Sequence, residues 1–121
     1  MILADSNVWI HHLRRSDARL RQLLVQQRVR TSDVIIGELR LGSGLPKGFI
    51  ADLLALPRLP TPSAIETRTF IERHHRAFAG AGVGWADAQV MLTASKSGAR
   101  IHTSDNAMRK TCKAVGVALV L

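Results

Sequence analysis

Four short segments, MILA, VRT, ARIHTS and VALVL, are separated by stretches with helical periodicity, and the apolar ones among them lack the in-and-out alternation of a half-exposed strand. A strand that is apolar at every position must be buried on both faces. Such strands interleaved with helices predict an α/β fold: a central parallel sheet between two helical layers. In sheets of that kind, sites form beyond the C-terminal ends of the strands, where strand order reverses. Asp5, directly after MILA, and Asp105, directly after ARIHTS, both fall at such ends.

The intervening helices carry their own start and stop signals. Ser6 or Asn7 is the expected cap ahead of VWIHHLRR, and Asp17 opens ARLRQLLVQQ. Ser32 precedes DVIIGELRLG, which ends at Gly42, Gly44 and Pro46. KGFIADLLAL carries one apolar stripe and gives way to an extended passage through Pro57, Pro60 and Pro62. Ser63 with Glu66 reads as a capping box for a helix running toward Phe78. GAGVG then leads into WADAQVMLTASKSG, closed by Gly98. NAMRKTCKAVG closes at Gly116, and VALVL is the last strand. The 121 residues make one domain, 1–121, with no repeat or linker.

Seventeen Lys and Arg against nine acids, a net charge of +8, favour a polyanionic partner such as nucleic acid or an acidic protein. The absence of Tyr, with only two Trp and three Phe, argues against aromatic stacking platforms for single strands, and Trp9 and Trp85 are expected in the core or a pocket wall. Cys112 is the only cysteine, which excludes an intrachain disulfide and a cysteine-built zinc site. The apolar start is cut at Asp5 and lacks a basic leader, and no run is long enough to span a bilayer, so a soluble, cytoplasmic protein with no membrane contact is expected.

Five of the nine acids sit where solvated acids belong, at helix starts or on polar faces: Asp17, Asp33, Asp52, Glu66 and Glu72. The other four do not. Glu38 follows Val34 by four residues and Ile35 by three, so on a helix it projects from an apolar side and should be partly buried. Asp5 and Asp105 end strands, and Asp87 lies in the first turn of a helix. Singly, Asp5, Asp87 and Asp105 could be caps or first-turn acids, and Glu38 could find a distant salt-bridge partner. Converging, they would repel one another and raise their pKa values unless a cation compensated them, and an all-oxygen donor set selects a hard ion such as Mg²⁺ or Mn²⁺.

Four blocks in order carry a further signal. DSNVWI, VIIGELRLG, GVGWADAQVMLTA and IHTSDNAMRKTCKAVGV resemble the successive blocks of the PIN-domain ribonucleases, and specifically the VapC-type toxins of bacterial and archaeal toxin–antitoxin pairs. The resemblance spans nearly the whole chain and implies a PIN-like α/β/α sandwich. It makes Asp5, Glu38, Asp87 and Asp105 the catalytic acids, with Ser6 and Thr103 in support. His11 where an acid is common, Met108 for a leucine, and Cys112 and Lys113 in an alanine-rich helix are departures, and none removes a carboxylate.

The resemblance further implies a Mg²⁺- or Mn²⁺-dependent endoribonuclease acting on structured RNA. Asp5 and Asp87 would be direct ligands, with Glu38 and Asp105 binding directly or through water. A cognate VapB-type antitoxin would restrain it in a hetero-oligomer, and the chain would form a homodimer with apolar faces around Leu39, Leu41 and Phe49 contributing. The rival readings are a metal-free toxin ribonuclease using His11 or His12, and a basic nucleic-acid-binding module without catalysis. The pairs His11–His12 and His74–His75 sit in no zinc motif, and GAGVG lacks the spacing and the preceding strand of a dinucleotide loop.

Overall fold

The computed structural model describes residues 1–120, and Leu121 lies outside the described residues. In chain order the elements are β1 (Ile2–Ala4), α1 (Ser6–Arg14), α2 (Ala18–Val25), β2 (Val29–Arg30), α3 (Asp33–Leu41), α4 (Phe49–Ala55), α5 (Ala64–Arg73), α6 (His75–Phe78), α7 (Trp85–Ser97), β3 (Arg100–His102) and α8 (Asn106–Val115).

The strands form a parallel sheet in the order β2-β1-β3, flanked by helices. Ile2 pairs with Val29 and with Arg100, so β1 is central and the chain departs from it in both directions. Single parallel bridges, Thr31 to Arg58 and Ile101 to Leu119, extend the sheet at its two edges. VRT therefore forms an edge strand of the three-stranded sheet, met on its outer side by the single bridge from Thr31 to Arg58. The expected fourth strand, VALVL, is reduced to that one bridge at Leu119 among the described residues.

Ile2, Leu3 and Ala4 are buried on both faces, as their unalternating pattern requires. Full burial of each large aliphatic side chain contributes about 1.5–3 kcal/mol, and this fixes β1 as the floor of the site. Helix α7 is buried along Ala88, Val90, Met91, Thr93 and Ala94, and α3 and α5 pack against it. The Ser63–Glu66 capping box is present in full, and Ser32 caps α3 through Ile35 N–H. Gly98 and Gly116 end α7 and α8 in the left-handed conformation.

Two local expectations change. The helix expected to run from Ser63 toward Phe78 breaks at His74, which leaves helical geometry; its ring packs edge-on against Phe70, which in turn meets Phe78. The two tryptophans also differ. Trp9 is buried against Phe49, whereas Trp85 is 46% exposed.

Candidate active site

The four acids arrive from four elements at the same end of the sheet. Asp5 follows β1, Glu38 lies on α3, Asp87 on the first turn of α7, and Asp105 at the start of α8. Asp5 is buried, with 4% of its surface exposed. Its carboxyl pKa is raised, chiefly by that burial; bonds from Ser6 N–H and the Thr103 hydroxyl oppose the rise, and the negative charges of Asp87 and Asp105 add to it. Glu38 is half-buried and its pKa is also raised, by burial first and then by Asp5 and Asp87. Each of the four is thus within electrostatic reach of at least one other.

The expected division of labour between capping and pocket is not what the structure has. Ser6 and Asn7 do not cap α1. Asp5 is itself the N-cap, its Oδ1 accepting from Ser6 N–H at 2.9 Å. Asp105 caps α8, with Oδ1 accepting from Met108 N–H at 2.9 Å. Asp87 accepts from Gly84 N–H through Oδ2 at 3.0 Å. A carboxylate has two oxygens, and in each aspartate one is committed to a backbone N–H; this fixes where the other stands. Capping is how the fold aims these acids.

Thr103 ties the first and fourth acids together. Its hydroxyl donates to Asp5 Oδ2 at 3.0 Å and accepts from Asp105 N–H at 3.2 Å. Asn7 joins through its side-chain amide, donating to Thr103 Oγ1 at 3.2 Å. Ser6, expected to support the pocket, contributes its backbone N–H, and the supporting side chain is Asn7. The only sequence signal for Asn7 was its place two residues past the acid. Arg109 Nη1 donates to the Thr103 carbonyl at 3.2 Å and braces the same turn.

Glu38 Oε1 is sealed from solvent and has no hydrogen-bond partner. A buried carboxylate oxygen without a donor is costly, so this atom fits a group that the protein itself does not supply. As the side chains lie, no three His, Cys, Asp or Glu groups among the described residues stand close enough to clasp an ion. Behind the acids, Cys112 is fully buried and its thiol pKa is pushed up to about 12, mainly by burial. His12 is structural: its Nδ1 accepts from Asp17 N–H at 2.9 Å, at the start of α2.

A parallel sheet with acids gathered beyond its central strand defines a class before it defines a protein. Residues 2–114 match the PIN domain family, and the chain belongs to it. Within that family it aligns with the VapC-type members: it is 39% identical over 121 residues to Ribonuclease VapC32 of Mycobacterium tuberculosis, covering 98% of this chain and 96% of the relative. Two solved structures share the fold. One is FitAcB from Neisseria gonorrhoeae, with a TM-score of 0.62 at 24% identity, covering 100% of this chain and 97% of the other. PAE2754 from Pyrobaculum aerophilum gives 0.62 at 16% identity, covering 91% and 83%.

Proposed function

We propose that this chain is the toxin of a type II toxin–antitoxin pair, a Mg²⁺- or Mn²⁺-dependent endoribonuclease that hydrolyses phosphodiester bonds in structured RNA. The observation that carries the reading is the coupled acid set: Asp5 and Glu38 both have raised pKa values, from burial and from the charges of the other acids, and Glu38 Oε1 has no donor. All four residues offer oxygen alone, the donor set of a hard divalent ion.

Asp5 and Asp87 are assigned as direct ligands, with Glu38 and Asp105 binding directly or through water. An ion held by them would supply Lewis acidity to the phosphate and lower the pKa of a water. The chain's own groups set the geometry for that. Ser6 N–H, Gly84 N–H and Met108 N–H orient three of the carboxylates, and Thr103 holds the first and last of them in register. Burial raises the pKa of Glu38, the direction that favours its taking up a proton.

The surrounding surface suits RNA. Only two ion pairs form among the described residues, Arg58 with Asp33 and Lys96 with Glu66, so most of the seventeen cations are left to meet phosphates. An antitoxin of the VapB type is the proposed restraint, its apolar helix seated in a groove of about 340 Å³ lined by Trp9, Leu13, Leu24, Phe49 and Leu53. A homodimer in the cytoplasm is the proposed assembly. Of the apolar residues expected to pair the subunits, Leu39 and Phe49 are buried in the core, and Leu41, at 90% exposed, is the one left to do so. No helix among the described residues is long and apolar enough to cross a membrane.

Chelation provides the test. EDTA should abolish RNA cleavage and Mn²⁺ should restore it, leaving 5′-phosphate and 3′-hydroxyl ends. Cleavage that survives chelation, or cyclic-phosphate ends, would show that the chemistry belongs to other residues.

A further inference from the structure

The acid set borders a cleft of about 380 Å³ whose wall includes Glu38. Helix α1 contributes Ile10, Leu13 and Arg14, spaced i, i+3 and i+4 and therefore on one face. The loop after α3 closes the cleft with Ser43 and Leu45 beside two glycines, and Gly44 adopts φ 75°, a turn that a side chain would strain. Gly42 donates its N–H to the Leu39 carbonyl, while Ser43 and Gly44 stand exposed at the rim, Gly44 with no side chain over its backbone.

Three properties of the cleft belong together. It is continuous with a catalytic acid. Its walls set aliphatic side chains, Ile10, Leu13 and Leu45, among polar groups, and Ile10 is 39% exposed although it is a large apolar side chain. It has one cation, Arg14, which makes no ion pair among the described residues. A flat ring with apolar faces and polar edges, attached to an anion, has this combination of chemistry, and a nucleotide has that form. An arginine fork matches phosphate oxygens, and bare backbone groups can pair with base edges.

We infer that this cleft receives the nucleobase adjoining the cut phosphodiester, between Ile10, Leu13 and Leu45, while Arg14 holds the neighbouring phosphate and the loop backbone at Ser43 contacts the base edge. The inference rests on the ribonuclease reading and adds the place where sequence preference is set. Aromatic stacking platforms are absent from its walls, so discrimination comes from base size and edge contacts.

Binding and cleavage separate the two readings. The Asp5→Asn chain, which should hold RNA without cutting it, is titrated with fluorescent oligo-uridylate, oligo-adenylate and an abasic ribose-phosphate oligomer. It should bind the base-bearing oligomers about tenfold more tightly than the abasic one. Ile10→Trp, which fills the cleft, should erase that preference while leaving abasic binding in place. Arg14→Gln should weaken all three and lower the salt slope by about one unit. In the chain that retains Asp5, Ile10→Trp should raise KM more than it lowers kcat and redistribute the cut sites. Ile10→Ala, with circular dichroism on each variant, controls for folding.

An Ile10→Trp chain that keeps the base preference and the cut sites overturns the inference. So does one that loses only its grip on the antitoxin, which would make the cleft a protein-docking site. RNA left intact by the unsubstituted chain under every metal would refute the ribonuclease reading instead, with the base preference still measurable in the binding arm.

Discussion

Replacing Thr103 by valine removes a single hydroxyl and keeps the shape. Thr103 is 2% exposed, so water cannot replace what is lost. Asp5 Oδ2 loses its donor at 3.0 Å and Asp105 N–H loses its acceptor at 3.2 Å. Asn7, half-exposed, can turn to solvent. A bond to a charged acceptor is worth about 1.5–3 kcal/mol and an orphaned N–H costs about 1–3 kcal/mol, while the added methyl returns about 0.8 kcal/mol. The net loss should be about 2–5 kcal/mol. For a domain of this size that lowers the melting temperature by roughly 8–20 °C. Thermal melts in EDTA at neutral pH give the measurement, with Thr103→Ser as the variant that keeps the hydroxyl and should lose about 1 kcal/mol. The contrast should shrink in acid, where Asp5 is protonated and no longer needs a donor to a charge. A valine variant within about 0.5 kcal/mol of the parent, or a serine variant no better than valine, would mean that the hydroxyl does not hold the two acids.

Asp5→Asn should abolish cleavage yet leave the metal-free protein as stable or more stable, because one of the mutually repelling buried charges is gone. A clear drop in melting temperature would mark Asp5 as chiefly a helix cap. The folded pKa values of Asp5 and Glu38 are raised, so their contribution to stability is fully present below the unfolded pKa and is lost as pH rises through the folded value. The advantage of Asp5→Asn in EDTA should therefore grow from about pH 4 toward neutrality, and a constant advantage would contradict the coupling. His102 has the opposite sign: burial lowers its pKa, so its contribution is complete above about pH 6.5 and fades as pH falls through its folded value, which His102→Gln should flatten. Cys112, buried with its thiol near 12, should resist thiol reagents at mild alkaline pH in the native protein and react fully in denaturant. Native reaction at the denatured rate would mean that α8 opens readily.

Much of this protein is written locally. Unalternating apolar residues at Ile2–Ala4 specify a strand buried on both faces, and hence a parallel sheet under helices. Ser32, Ser63, Gly98 and Gly116 mark helix ends through bonds made within a few residues, and all four are where the sequence puts them. Glu38 stands out because helical periodicity alone assigns it to an apolar side. The break at His74 and the reduction of the last strand were not legible, the first because it turns on side-chain packing of His74 with Phe70 and of Phe70 with Phe78, the second because it depends on pairing with β3.

What only the tertiary structure decided is the relation between residues far apart in the chain. Sequence supplied four acids of the right kind and left capping and pocket roles as alternatives for three of them. The pairing of β1 with β3 brings Asp5 and Asn7 beside Thr103 and Asp105, so that one hydroxyl can serve both acids. The alternatives then coincide, because a carboxylate that gives one oxygen to a helix N–H has its second oxygen held in place. Local pattern can state which residues are acidic and which side of an element they occupy. Which donor each oxygen meets is set by strand register and helix packing, across separations of up to 98 residues.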